Sequence, residues 1–179
     1  MSVRRVVTSH NNAGRSIVSE DALVRRSHDY THIKGFSTAL IWSTGAGFTV
    51  PNKALDPTQD VTSFIPEPGE TRLMIVTFPP DSAMMNESFD SVAAGQECME
   101  NLPGLAEKFE LDSPGMHRTD SVDYDILLDG ELWLELDDGK EVHLKPHDTV
   151  IQNGTRHAWR NKSDKPATIA FVLIGARRA

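Results

Sequence analysis

Residues 114–132, PGMHRTDSVDYDILLDGEL, set a histidine, a burst of polar residues and spaced aspartates directly before an apolar run. In an extended strand, residues two apart share a face, so His117 and Thr119 point the same way. After the polar step Asp120–Ser121–Val122, the residues Asp123, Asp125 and Leu127 share a face as well. Further along, His157 and Trp159 do the same. If the common face is an interior, it holds two imidazoles, two carboxylates and an indole. Unpaired carboxylates there would be driven neutral or would demand a cation. A metal ion or a substrate cation answers that demand. A β-bulge would reverse the assignment, placing Tyr124 in the pocket and Asp125 outside.

Strands must position these groups, and short β-type runs dominate the chain. RRVVTSH, SIVSEDALV, FSTALIWST and TRLMIVTF come first, with the excursion VPNKALDPTQDVTSFIPEPGE between the last two. Trp42 and Arg72 lie on these early strands and could line the far wall of a pocket. Arg72 would clamp a substrate carboxylate there, or else face solvent at a strand start. Residues 84–112 break the β pattern with helix formers, and Pro103–Gly104 splits them into two short helices. This insert directly precedes His117 and reads as a lid or as a plug of one end of the fold. From Tyr124 onward apolar runs of four to eight residues alternate with turns at Asp129–Gly130, Asp138–Gly139, Pro146–His147–Asp148 and Asn153–Gly154. That cadence predicts an antiparallel sandwich or barrel.

The organisation read from this pattern is one domain over residues 1–179. It has N-terminal strands in 1–80, the helical insert in 84–112 and a motif-bearing barrel in 113–175. A net charge of −8 argues against a broad nucleic-acid surface. Cys98 is the lone cysteine, so neither an intrachain disulfide nor a Cys-rich zinc site exists. The first residues lack the apolar segment of a secretory signal, and no run is long enough for a membrane helix, so a cytoplasmic protein without membrane partners is expected. His28 and His32, four apart, read as an exposed loop. His143 and His147 flank Pro146, where the same spacing does not converge. GAGF at 45–48 lacks the third glycine of a dinucleotide site, and no Gly-X-Ser-X-Gly elbow occurs.

Residues 114–175 resemble the cupins. The first cupin motif is matched by His117-Arg118-Thr119, Asp123 in the acid position and Gly130. The second is matched by Gly139, Pro146, His157 and, four residues on, Asn161. Thr119 replaces the family's second histidine, Asp123 its glutamate, and His147 stands near an expected glycine. The resemblance implies a jelly-roll β-barrel, completed in small members by N-terminal strands that pair in a homodimer. It carries metal ligation over to His117, Asp123 and His157, a set that suits Fe, Mn or Zn with open positions. Thr119 would hold a metal-bound water. The implied function is enzymatic, on a small and oxygen-rich molecule, with His117, His157 or Asp125 moving a proton and Tyr124, Trp42, Arg72 and Trp159 around the substrate. Lyase, isomerase and dioxygenase chemistry all fit. Two rivals stand beside it: a non-catalytic small-molecule binder, and a metal-free acid–base enzyme.

Overall fold

The structure is a computed structural model, and it describes residues 1–50 and 56–179. Residues 51–55 of the expected excursion lie outside the described residues. Strands β1 (Arg4–His10) and β2 (Ser16–Leu23) form an antiparallel ribbon. A six-stranded sheet contains β3 (Ser27–Asp29), β4 (Ser37–Thr44), β5 (Thr71–Phe78), β6 (Ser121–Asp129), β9 (Thr149–Asn153) and β11 (Ala167–Gly175), in the order β3-β4-β5-β11-β6-β9. A three-stranded sheet is built from β7 (Leu132–Glu135), β8 (Glu141–Leu144) and β10 (Ala158–Arg160), in the order β10-β7-β8. All of these pairings are antiparallel. The fold is all-β, as the sequence pattern predicts, with one α-helix among the described residues, α1 (Ser91–Asn101).

Alternation sets the two faces of the large sheet. In β5, Arg72, Met74 and Val76 are buried, and in β6 so are Ser121, Asp123, Asp125 and Leu127. Leu40, Met74, Leu127, Ile169 and Leu173 of the large sheet share one apolar core with Leu132, Leu134, Leu144 and Trp159 of the small sheet. The two sheets therefore pack face to face, which is how sheets that are apolar on one side hide that side. Register then fixes cross-strand rows on this inner face. One runs Ser43, Arg72, Leu173, Asp123, Gln152, and the next Leu40, Met74, Phe171, Asp125, Val150.

On the opposite face, Leu73 and Ile75 are covered by a second cluster of Val24, Ala39 and Ile41 with Met1 and Val3. Arg5 ties the ribbon down. Its guanidinium bonds Glu20, Asp56 Oδ1 at 2.9 Å and the Ile41 carbonyl at 3.0 Å, and lies 5.3 Å from the centre of the Trp42 ring. Beyond that cover, Tyr124 and Ile151 remain 43% and 54% exposed on the outer face of β6 and β9.

The insert is part of the core. Asp90 caps α1 by accepting from the amides of Val92 and Ala93. Past the helix, Leu102 and Ala106 are buried in the main cluster, with Leu105 and Phe109 packed on it. Only a 3₁₀ turn at Ala106–Lys108 replaces the second helix that was expected. Glu97 on α1 accepts from the amides of Thr31 and His32 and pairs with His28 Nε2 at 2.9 Å. Burial would raise its pKa, but these bonds outweigh that and hold it at about 2. His28 thus sits on β3, half-buried against a carboxylate, and not in an exposed loop.

The Asp-Gly turns form where the sequence puts them. Gly130 has φ +79°, and a Cβ there would meet the Pro166 carbonyl oxygen at 2.6 Å. His147 carries the unusual conformation at its own turn, with φ 76°. A left-handed backbone costs a non-glycine residue roughly 1–2 kcal/mol. His147 is exposed and its backbone amide alone bonds into the core, donating to the Leu127 carbonyl at 2.7 Å. His147→Gly is therefore expected to raise the thermal midpoint by about 2–4 °C, measured by thermal denaturation. An unchanged or lower midpoint would show that the imidazole offsets the strain.

Candidate functional site

His117 and His157 face each other across an antiparallel bridge. Each backbone amide donates to the other residue's carbonyl, at 2.9 and 3.0 Å. His117 Nδ1 lies 3.0 Å from the Gly115 carbonyl and His157 Nδ1 lies 3.0 Å from the Thr155 carbonyl. A carbonyl oxygen only accepts, so Nδ1 carries the hydrogen in both neutral rings and each Nε2 keeps a bare lone pair. The ring centres are 4.3 Å apart at 48°. Burial lowers the pKa of both. For His157, burial and then the neighbouring His117 bring it to about 4. At neutral pH the pair is uncharged, with two basic nitrogens on offer. Phe109 of the insert packs its edge on His117 at 5.0 Å, and Trp159 stands edge-on to His157 at 5.9 Å.

The aspartates occupy the inner face of β6, without the bulge that would have turned them out. Asp123 and Asp125 are buried while Tyr124 between them is exposed. Tyr124 is thus on the outer face and does not line the pocket. Asp123 Oδ1, both carboxylate oxygens of Asp125 and Nε2 of Gln152 are buried with no hydrogen-bond partner among the described residues. Burial pushes the Asp123 carboxyl up to about 6. Burial, and then the charge of Asp123, push Asp125 up to about 8. Thr119 lies inside as expected, but its hydroxyl is engaged, accepting from Ser121 Oγ at 2.9 Å.

Two expected wall residues are corrected. Trp42 pairs with Leu73 after a bulge in β4 and lies on the opposite face of the sheet, under Arg5. The bulge between Leu40 and Trp42 shifts the alternation that the sequence implied. Arg72 does face inward and does not face solvent, yet its guanidinium is used by the protein. It donates to the carbonyls of Ser63 and Thr71 at 3.2 and 2.9 Å and to Glu70 at 2.8 Å. It is not a free clamp. Gln152, by contrast, was not singled out in the sequence. Only the β6–β9 register, which sets it directly opposite Asp123, reveals it.

The expected triad of His117, Asp123 and His157 does not close. Among the described residues no three His, Cys, Asp or Glu side chains come together in a group able to hold one metal ion. The imidazoles flank the start of β10 on the small sheet, whereas the acids stand on the large sheet. Asp123 also has one methylene fewer than the glutamate of the cupin motif. The imidazole pair keeps both Nε2 atoms without a hydrogen-bond partner among the described residues.

No family model matches the chain. It is similar to the Phomopsin biosynthesis cluster protein D of Diaporthe leptostromiformis, 54% identical over 63 residues, 35% of this chain and 33% of that protein. A second relative is the cupin-domain-containing oxidoreductase fogC of Aspergillus ruber, 34% identical over 67 residues, 36% of this chain and 32% of that protein. The matched stretch spans about a third of the length of these curated relatives. Among solved structures, a putative ethanolamine utilization protein from Salmonella typhimurium covers 99% of both chains at 7% identity, with a TM-score of 0.43.

Proposed function

We propose, from the premise that this chain is a cupin, that it is an enzyme moving a proton on a small molecule held between its two sheets. The observation that carries this reading is Asp125, a residue only 1% exposed whose two carboxylate oxygens have no partner. A fold gains nothing from such a group, since an unmatched buried carboxylate costs stability. In this role His157 Nε2, uncharged at neutral pH, accepts a proton from the substrate. The neighbouring His117 opposes charge on His157 and so favours return of that proton, and Asp125, held protonated by its surroundings, donates to a substrate oxygen. Proton removal and return of this kind is the core of isomerase and lyase chemistry. The name of the Aspergillus ruber relative favours a second reading, an oxidoreductase, built on the same site.

The donor set suits a divalent ion at the imidazole pair. His117 and His157 would hold it through Nε2, so in that form His157 would be a ligand and not the proton acceptor, and the ion would supply Lewis-acid polarisation of a substrate oxygen. The test is deuterium wash-in from D2O into a panel of small hydroxy-carbonyl compounds, followed by NMR. Wild-type protein should exchange a carbon-bound proton in at least one of them, and His157→Ala or Asp125→Asn should slow that by about 10²-fold or more. Full exchange in both variants would discard the reading, and binding without exchange would leave a small-molecule binder. Elemental analysis of untagged protein separates the ion-assisted form from the metal-free one. The first requires metal in the wild type and its loss in His157→Ala, the second activity that survives chelator.

The same reading includes a homodimer. Val6, Val18 and Leu23 on the ribbon are exposed, as are Tyr124 and Ile151 on the outer sheet face. A two-stranded ribbon is marginal alone, and a second copy supplies an apolar surface of matching character. Sedimentation at micromolar concentration should give twice the chain mass, and Val18→Lys should return it to monomer.

A further inference from the structure

The unpartnered atoms of the inner face have a composition of their own. Three are carboxyl oxygens, Asp123 Oδ1 and the two of Asp125, of which the Asp125 carboxyl, holding its proton, offers one O–H and one acceptor, and the fourth is a donor, Gln152 Nε2. They are adjacent by construction. Asp123 and Asp125 sit two apart on one face of β6, and Gln152 on β9 is the direct cross-strand partner of Asp123. Gln152 is 2% exposed, and its Oε1 is taken by the Thr155 hydroxyl, which fixes Nε2 as the free end of the amide. Apolar side chains border the set on the next strand, with Leu173 opposite Asp123 and Phe171 opposite Asp125, and Trp159 packed on Phe171 at 5.5 Å. Native proteins leave few buried polar atoms unmatched, so four in one patch mark a place where something else supplies the partners.

From this placement we infer that Asp123, Asp125 and Gln152 form a subsite for the hydroxyl groups of a neutral, hydroxyl-bearing ligand. A hydroxyl answers the inventory in both senses. Its hydrogen goes to an aspartate oxygen and its oxygen accepts from Gln152 Nε2. A second hydroxyl on the neighbouring carbon meets the Asp125 carboxyl, accepting from its O–H and donating to its other oxygen. A carboxylate or phosphate has only acceptors to present and leaves Asp123 Oδ1 without a donor, and the Asp123 carboxylate beside it repels the ligand's charge, so the subsite disfavours anions. A bare metal ion satisfies the aspartates but is repelled by the Gln152 amide hydrogens. Sites built to hydrogen-bond a hydroxyl discriminate strongly against ligands that lack it, because their own groups are then left unpaired. The inference rests on the same interior site as the enzyme reading, and it adds the substrate class and gives Gln152 a role in choosing it.

The test uses 1,2-propanediol and lactate, which share a skeleton and differ in replacing one hydroxymethyl by a carboxylate. Binding is read by saturation-transfer NMR on the full chain. The diol should bind at least tenfold more tightly than lactate, and Gln152→Met and Asp125→Asn should each weaken it at least tenfold. Lactate binding equal to the diol overturns the inference, as does diol binding that both variants leave unchanged. A thermal midpoint guards against a structural explanation. Asp125→Asn should melt at or above the wild type, because the carboxylate serves a ligand and not the fold. A fall of about 3 °C or more would place Asp125 among the fold's own supports and overturn the inference. Failure here is distinct from failure of the enzyme reading. Loss of deuterium wash-in in Asp125→Asn with intact diol binding sinks the subsite alone. Diol binding that depends on Gln152 and Asp125, with no compound exchanged, sinks the enzyme reading alone.

Discussion

Asn161→Ala is expected to lower stability by about 3–5 kcal/mol, the largest loss from any single polar substitution proposed for this chain. The side chain is fully buried and none of its capacity is spare. Its Nδ2 donates to the carbonyls of Phe78 and Lys165 at 3.0 and 2.8 Å, and its Oδ1 accepts from the Ser163 amide and hydroxyl at 3.1 and 2.7 Å. Its backbone is also held, with the amide donating to Asp81 Oδ1 and the carbonyl accepting from the Asp81 amide. One residue thereby fastens the end of β5, the turn leading into β11 and the chain leaving β10. Removing the amide takes the Nδ2 donor from the Phe78 carbonyl and the acceptor from the Ser163 amide, while the Lys165 carbonyl keeps only the Ser163 hydroxyl, and each lost partner costs on the order of 1–3 kcal/mol. The thermal midpoint should drop by roughly 10 °C. Asn161→Asp should do similar damage, since it replaces a double donor with an acceptor facing two carbonyls. A midpoint within about 2 °C of wild type would show that the network is redundant.

Asn161 also marks how far sequence reading reaches. Its interval from His157 was legible as part of a cupin motif, yet the interval said nothing of what the side chain does. The strands β1, β2, β4 and β5 and all four turns could be read because they rest on local signals, namely two-residue alternation and Asp-Gly or Pro-X-Asp turns. The same alternation sets Asp123 with Asp125 and His157 with Trp159 on shared faces, and His117 with Thr119, and all of these are buried. What failed needed non-local information. Trp42 changed faces because of a bulge between Leu40 and Trp42, and no residue type announces one there. Arg72 pointed inward but was already bonded by Ser63 and Glu70, contacts set by how the excursion folds back. Gln152 entered the site only through the pairing of β6 with β9. Convergence of His117, His157 and Asp123 asked for distances between two sheets, which alternation along one strand does not contain.

Between about pH 6.5 and 8 the protein should lose stability as pH rises, contrary to the usual behaviour of buried carboxylates paired with cations. Asp123 and Asp125 have folded pKa values raised to about 6 and about 8 from an ordinary 3.8. A raised carboxyl pKa means the folded state keeps a proton that the unfolded chain has released. Stability then falls with pH from roughly 4 up to the folded value, by about 1.4 kcal/mol per pH unit for each group. The histidines act in the opposite sense. His157 is lowered to about 4 from 6.5, and His117 is lowered too, so the unfolded chain binds more protons below 6.5 and stability rises with pH there. Between pH 4 and 6, two groups of each kind work against each other and the profile is shallow. Above 6.5 the unfolded histidines lose their remaining protons by about 7.5, which offsets part of the fall, Asp123 is largely ionised in both states, and Asp125 dominates. The thiol of Cys98, raised by burial to about 11, opens its own window only above about 9. The carboxylates of Asp56 and Glu97, held at about 2, have finished theirs well below. The net fall should therefore be roughly 1 kcal/mol over pH 6.5–8, about 2–4 °C in thermal midpoint. Asp125→Asn should be flat or rise slightly over this range and should exceed the wild type by most at pH 8. A flat wild-type profile, or the same slope in the variant, would mean that Asp125 is not the proton-holding group, and the donor assigned to the catalytic step would have to be sought elsewhere on the inner face.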